Sequence, residues 1–206
     1  MPKNNIDYQQ IALTGRVLGA LFYYEPDSPA CCDIVAQLRS GSWVTQWPYG
    51  RDDQLAAIAE LLMQPDKNET LEEAWQRLFI GPYALPAPPW GSVYLDKENV
   101  LFGDSTLKLR HWMAQRQVDV TLAQEEPEDQ FGLLMMMAAW LAEHQPTDLP
   151  DLLAEHVLPF AYRYLDLLQS TAGHAFYQGV AQLAALTLTG WQHELQVIPT
   201  AAELYR

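Results

Sequence analysis

Cationic side chains are scarce in this sequence. Lys and Arg number 12 against 26 Asp and Glu, a formal net charge of −14, and a surface of that sign repels nucleic acid and anionic lipid while attracting cationic partners. Cysteine is nearly missing as well. The two present, Cys31 and Cys32, are neighbours on an expected helix, where their Cβ directions diverge and disfavour a mutual disulfide, which fits a reducing compartment. No apolar run reaches the ~20 residues that a membrane-spanning helix needs; the longest, Phe131 to Ala142, stops well short. The opening residues, MPKNNIDYQQ, hold no basic segment followed by an apolar one, so no secretory signal is expected. These shortages together describe a soluble cytoplasmic protein.

Motifs that carry chemistry are missing too. There is no Gly-rich phosphate loop, no CxxC and no HExxH. None of the five histidines follows a Glu at three residues' distance, so the Glu-x-x-His signature of di-iron bundles is lacking. Glu143-His144 and Glu155-His156 are adjacent pairs whose side chains point about 100° apart on a helix, which reads as solvated helix ends. Ser92 and Ser105 lack a Gly-x-Ser-x-Gly context. No catalytic residue, metal ligand or cofactor site is expected.

What remains is apolar and helical. Hydrophobic residues make up 49% and charged ones 18%, which belongs to a globular chain rather than a disordered one. Helical periodicity recurs from Ile6 to Tyr24, with Gly15 and Gly19 four apart for close approach of another helix. It returns after Ser28, read as a cap for a helix to about Arg39, and then from Asp52 or Asp53 to Met63. Thr70 with Glu73 forms a capping box for the helix that follows. Asp104 to Thr106 supply caps for a helix to about Arg116. Only Val118 to Leu122 alternates like a strand. The acidic run EEPED, with Pro127 suited to a first helical turn, precedes Phe131 to Trp140, apolar on every side and therefore central. Asp148 opens a helix that Pro159 breaks or kinks, and a last long helix runs from about His174 to Leu195. The expected fold is all-α, one bundle of roughly eight to ten helices over residues 1–206, with a long Pro- and aromatic-rich loop at 81–103.

One stretch organises the rest, WQRLFIGPYALPAPPWGSVY from Trp75 to Tyr94. Trp75, Leu78 and Phe79 share one helical face. Gly81-Pro82 ends the helix, and Pro86, Pro88 and Pro89 hold an extended path. Two readings fit: a core helix followed by a loop pinned by its aromatics, or a preformed apolar groove for an extended or helical peptide. Asp129 carries a similar ambiguity, between stabilising its own helix N-terminus and meeting a ligand. Tyr23 reads equally well as a core aromatic with its hydroxyl at the surface.

The segments WQRLFIGPYALPAPPWGSVYLDKENVLFGDST and EEPEDQFGLLMMMAAWLAE, with RVLGALFYYEPDS and LTLTGWQHEL, resemble the cytoplasmic Tat proofreading chaperones of the TorD/DmsD type over nearly the whole chain. That resemblance implies an all-helical maturation factor without catalytic turnover, monomeric or dimeric by exchange of halves. It implies binding of the twin-arginine signal peptide of a molybdopterin oxidoreductase such as dimethyl sulfoxide reductase, holding back export until the cofactor is inserted, with possible contact to Tat translocase components. The family's signal-peptide residues match Tyr23, Trp75, Leu78, Phe79, Pro89, Trp90 and Asp129. The family usually has His after that Asp, and this chain has Gln130. Glu126 and Asp129 are carboxylates that suit the guanidinium groups of such a peptide. Two other functions stay in play: a GTP-dependent switch or enzyme, since guanine nucleotide binding is discussed for the family, and a scaffold that binds the folded reductase rather than its leader.

Overall fold

A computed structural model describes residues 6–98, 101–119 and 126–206. Its helices are α1 (Tyr8–Tyr23), α2 (Cys32–Ser40), α3 (Asp52–Leu62), α4 (Leu71–Trp75, prolonged by a π-helical turn Gln76–Ile80), α5 (Ser92–Leu95), α6 (Asp104–Arg116), α7 (Phe131–His144), α8 (Leu149–Leu152, prolonged by a second π-helical turn Leu153–Val157), α9 (Leu158–Thr171) and α10 (Ala175–Glu194). No strand occurs among the described residues, and an isolated antiparallel bridge joins Trp90 to Gln130. The fold is all-α. The strand-like Val118 to Leu122 falls partly outside the described residues, as does Glu125 of the acidic run.

The central contact is α1 on α7. The glycines expected to allow close approach do so: a Cβ on Gly19 would stand 2.9 Å from the Gly132 carbonyl oxygen, and one on Gly132 2.9 Å from that of Gly19. The two backbones therefore touch, leaving room for nothing larger than hydrogen. Around this contact α7 is buried on nearly all sides, and Phe22, Phe131, Phe160 and Tyr164 interlock edge to face. α10 packs against α9 and α3 and completes the core, with Trp191 fully buried and its indole N–H donating to Thr14 Oγ1 at 3.3 Å.

Helix ends follow local chemistry, sometimes from unexpected donors. The Thr70–Glu73 capping box forms, Glu73 N–H to Thr70 Oγ1 at 3.2 Å and Thr70 N–H to Glu73 Oε2 at 2.8 Å. Ser28 does not cap α2; its hydroxyl donates to the Glu25 carbonyl and its own carbonyl accepts from the Cys31 and Cys32 N–H groups in the preceding turn. α6 is capped from outside its own sequence, by Asp96, whose carboxylate accepts the N–H of Ser105 at 3.1 Å and its hydroxyl at 2.8 Å. Pro127 lies before α7 rather than in its first turn, because Gln130 takes the N-cap position.

Gly132→Ala is expected to lower the free energy of unfolding by about 1–3 kcal/mol, since the added methyl meets backbone atoms that cannot yield; urea denaturation followed by circular dichroism measures it.

Candidate functional site

The segment after α4 is irregular, with bends at Pro82-Tyr83 and Pro86-Ala87; it is exposed from Pro82 to Ala84 and mostly buried from Leu85 to Pro89. It ends in a clip that fastens it to the start of α7: Phe131 N–H donates to the Pro89 carbonyl at 2.7 Å and Gly91 N–H to the Asp129 carbonyl at 3.1 Å. Pro89 is buried in this clip, and Trp90 beside it is half-buried. The Trp90 indole N–H donates to Glu126 Oε1 at 2.5 Å. Tyr23, at the end of α1, completes the group. Burial pushes its hydroxyl pKa upward, and the nearby Glu126 carboxylate adds to the rise. Burial likewise raises Glu126, against the indole N–H that favours its charged form, and the Asp129 carboxylate raises it further.

Asp129 is 4% exposed. Its Oδ2 accepts the Ser92 N–H at 2.6 Å, so it caps the single turn α5 rather than its own helix. Its buried Oδ1 has no donor in strict hydrogen-bonding geometry among the described residues, but the Ser92 and Thr106 hydroxyls lie near enough to favour the charged carboxylate. Burial raises its pKa and outweighs the opposing Ser92 N–H. Gln130, by contrast, is fully employed: Nε2 donates to the Phe22 carbonyl at 2.8 Å and Oε1 accepts the Leu133 N–H at 3.0 Å. The amide thus caps α7 and ties it to α1, a neutral role that needs no imidazole.

Asp129 and Gly91 line a cavity of about 920 Å³ enclosed by α6, the π turn before α9 and the extended segment after α10. Leu95, Leu107, Leu109 and Pro159 form apolar parts of its wall. Four carboxylates, Asp96, Asp104, Asp129 and Glu155, face one ammonium, Lys108, which favours a cationic guest and repels a triphosphate. Trp112 and His156 also line it, each with a buried ring nitrogen that lacks a partner among the described residues. Burial pushes His156 down to about 4, helped by Arg116 and Lys108, so its ring is neutral at neutral pH. The expected solvated Glu155-His156 end is therefore corrected: Glu155 is exposed, but His156 turns inward edge-on to Trp112, ring centroids 5.6 Å apart. The sequence marks the pair only as a helix end, because it carries no motif. Among the described residues no group of three or more His, Cys, Asp or Glu is placed to hold a metal ion.

The structure does not bring Trp75, Leu78 and Phe79 to this surface. They are 6%, 0% and 5% exposed, and the shared face identified in the sequence points into the core, so these three form no open groove. The π turn explains the packing. Gly81 N–H closes onto the Gln76 carbonyl at 2.9 Å, and Phe79 stacks on Trp75 at 5.9 Å while meeting Phe22 and Tyr177. The exposed apolar residues of this stretch are instead Ile80 and Tyr83.

The family model described as nitrate reductase delta subunit matches residues 45–166. The chain is 50% identical over 193 residues to the Tat proofreading chaperone DmsD of Salmonella paratyphi A, covering 93% of each. It is 42% identical over 198 residues to the probable Tat proofreading chaperone DmsD of Haemophilus influenzae, covering 96% of this chain and 98% of that one. Similarity extends to the chaperone protein YcdY of Escherichia coli, 24% identical over 191 residues, covering 91% of this chain and 96% of that one.

Two outcomes separate support from surface. Phe79→Ala is expected to destabilise the fold by about 3–5 kcal/mol, as loss of a core ring does, in the same urea titration. Asp129→Asn is expected to do the opposite at neutral pH. Because the folded carboxyl titrates above its unfolded value, ionisation weakens the fold as pH rises from about 3.9 through the raised value and no further beyond it. Denaturation at a series of pH values should show the variant more stable than the parent at pH 7, with the gap closing in acid.

Proposed function

The chain belongs to the TorD/DmsD family of Tat proofreading chaperones, and from that premise we propose that it binds, in the cytoplasm, the twin-arginine signal peptide of a molybdopterin oxidoreductase catalytic subunit. It delays export until cofactor insertion and folding are complete, and transforms nothing chemically. The observation that carries this reading is a nearly buried carboxylate whose charge is opposed by burial, Asp129, on the wall of an acidic cavity near the half-buried Trp90.

Each part of such a peptide has a counterpart here. A guanidinium matches a carboxylate in a way that an ammonium does not, because its planar fork donates two parallel hydrogen bonds. Paired with Asp129, it offsets the desolvation that raises the carboxyl. The moderately apolar stretch after the arginines suits Leu107 on the cavity wall, with Leu101 and Phe102 exposed on the preceding turn. Trp90 and Tyr23 add amphipathic rings that contact either part. A net charge of −14 speeds encounter with a cationic leader. Trp75, Leu78 and Phe79 belong to the core beneath and do not meet the peptide. No helix among the described residues is long and apolar enough to cross a membrane. The acidic lining supports a peptide over GTP in this cavity.

Trp90→Ala is expected to weaken binding of a dimethyl sulfoxide reductase signal peptide at least tenfold, about 1.4 kcal/mol, with the far-ultraviolet spectrum unchanged. Asp129→Asn should weaken it as well and flatten its salt dependence, as loss of one charge pair requires. Isothermal titration at two ionic strengths reads both, and parental affinity in both variants refutes the site.

A further inference from the structure

After α10 the chain runs extended from Val197 to Arg206 and crosses the mouth of the cavity, where Thr200, Ala201 and Ala202 form part of the wall. What holds this strap is mainly main-chain carbonyls on the receiving side, with one side-chain exception: Arg163 Nε donates to the Arg206 carbonyl at 3.2 Å. Thr200 N–H donates to the Ala154 carbonyl at 2.9 Å, Tyr205 N–H to the Tyr94 carbonyl at 2.9 Å, and Arg206 Nη2 to the Leu85 carbonyl at 3.1 Å.

Each of those carbonyls is left over for a local reason. Ala154 lies in the π turn, where Leu158 N–H is taken by Leu153, and the residue five positions on from Ala154 is Pro159, which has no N–H to give. Tyr94 belongs to a helix of one turn that ends at Leu95. Leu85 lies in the proline segment, where ladder partners are lacking. The three acceptors form a ledge from the cavity to the proline segment, and main-chain acceptors of this kind call for donors.

Apart from the Arg206 guanidinium, the strap's side chains contribute little. After Val197 every residue except Pro199 is exposed, including Ile198, Leu204 and Tyr205. The ledge therefore reads an extended backbone and a guanidinium, not the strap's own sequence. An arginine-bearing extended segment of another chain offers the same donors.

We propose that the ledge of Ala154, Tyr94 and Leu85 carbonyls is a second part of the peptide site, filled in the free protein by the strap and taken over by the arginine-bearing segment of the client leader, so that the strap is a built-in competitor. This rests on the peptide-binding reading above. A strap that occupies the ledge most of the time lowers the apparent affinity by the fraction of molecules that are open.

The test uses a synthetic twin-arginine signal peptide with the full chain, a chain ending at Pro199, and Arg206→Ala, which keeps the strap but removes its guanidinium. The shortened chain should bind about three- to tenfold tighter, Arg206→Ala should fall between, and hydrogen exchange at the Thr200 and Tyr205 amides of the full chain should accelerate when peptide saturates it. Equal or weaker binding by the shortened chain, or amides that stay protected under peptide, overturns the competitor while leaving the function intact. Binding by none of the three removes the function and the competitor together.

Discussion

Two helices meeting backbone to backbone set the geometry on which everything else rests. Because Gly19 and Gly132 carry no side chain, α1 and α7 approach until a carbonyl of each lies where the other's Cβ would be. That approach brings the end of α1, with Phe22 and Tyr23, to the beginning of α7, where Gln130 bonds to the Phe22 carbonyl. The clip at Pro89 and Gly91 then has a fixed edge to grip. Trp90, Glu126 and Asp129 are positioned by that edge rather than by contacts with one another alone. A looser helix pair would misplace all of them at once.

The fold tolerates two raised carboxyls close together, and the arrangement runs against stability. Glu126 and Asp129 each resist ionisation through burial, and Asp129 raises Glu126 further. Neighbouring arginines are engaged elsewhere: Arg110 with Glu128, Arg116 with Asp148 and Asp151. Buried acids left in this condition are uncommon in interiors built only to be stable. Of the two, Asp129 lines the cavity, and it is this perturbed carboxyl that the proposed peptide site uses.

Much of this was legible in the residues, and the exceptions share a cause. The proline run ends the helix but bends at Pro86-Ala87 instead of keeping an extended path; glycine spacing foretold the close helix pair and the capping box formed as written, since each depends on a few adjacent residues. The direction in which a face points does not. Trp75, Leu78 and Phe79 do lie together, yet whether they look outward or inward depends on Phe22 and Tyr177, distant in the chain. Asp129 was assigned by its sequence neighbours to α7, whereas it caps α5, 37 positions earlier. Glu155-His156 reads as a solvated helix end because its side chains diverge, and that divergence puts only Glu155 in solvent while packing takes His156 against Trp112. Local rules chose the elements; non-local packing chose their uses.

The hydrogen bond between Trp90 and Glu126 carries a further consequence. An indole's excited state has a large dipole, and its emission follows the charge held against its ring nitrogen. Most other tryptophans are poorly placed to report on this surface: Trp43, Trp75 and Trp191 are buried, and Trp140 stacks on His144. Any guest that draws the carboxylate away from Trp90 therefore changes the colour of the protein's own fluorescence, and occupancy becomes visible without a dye.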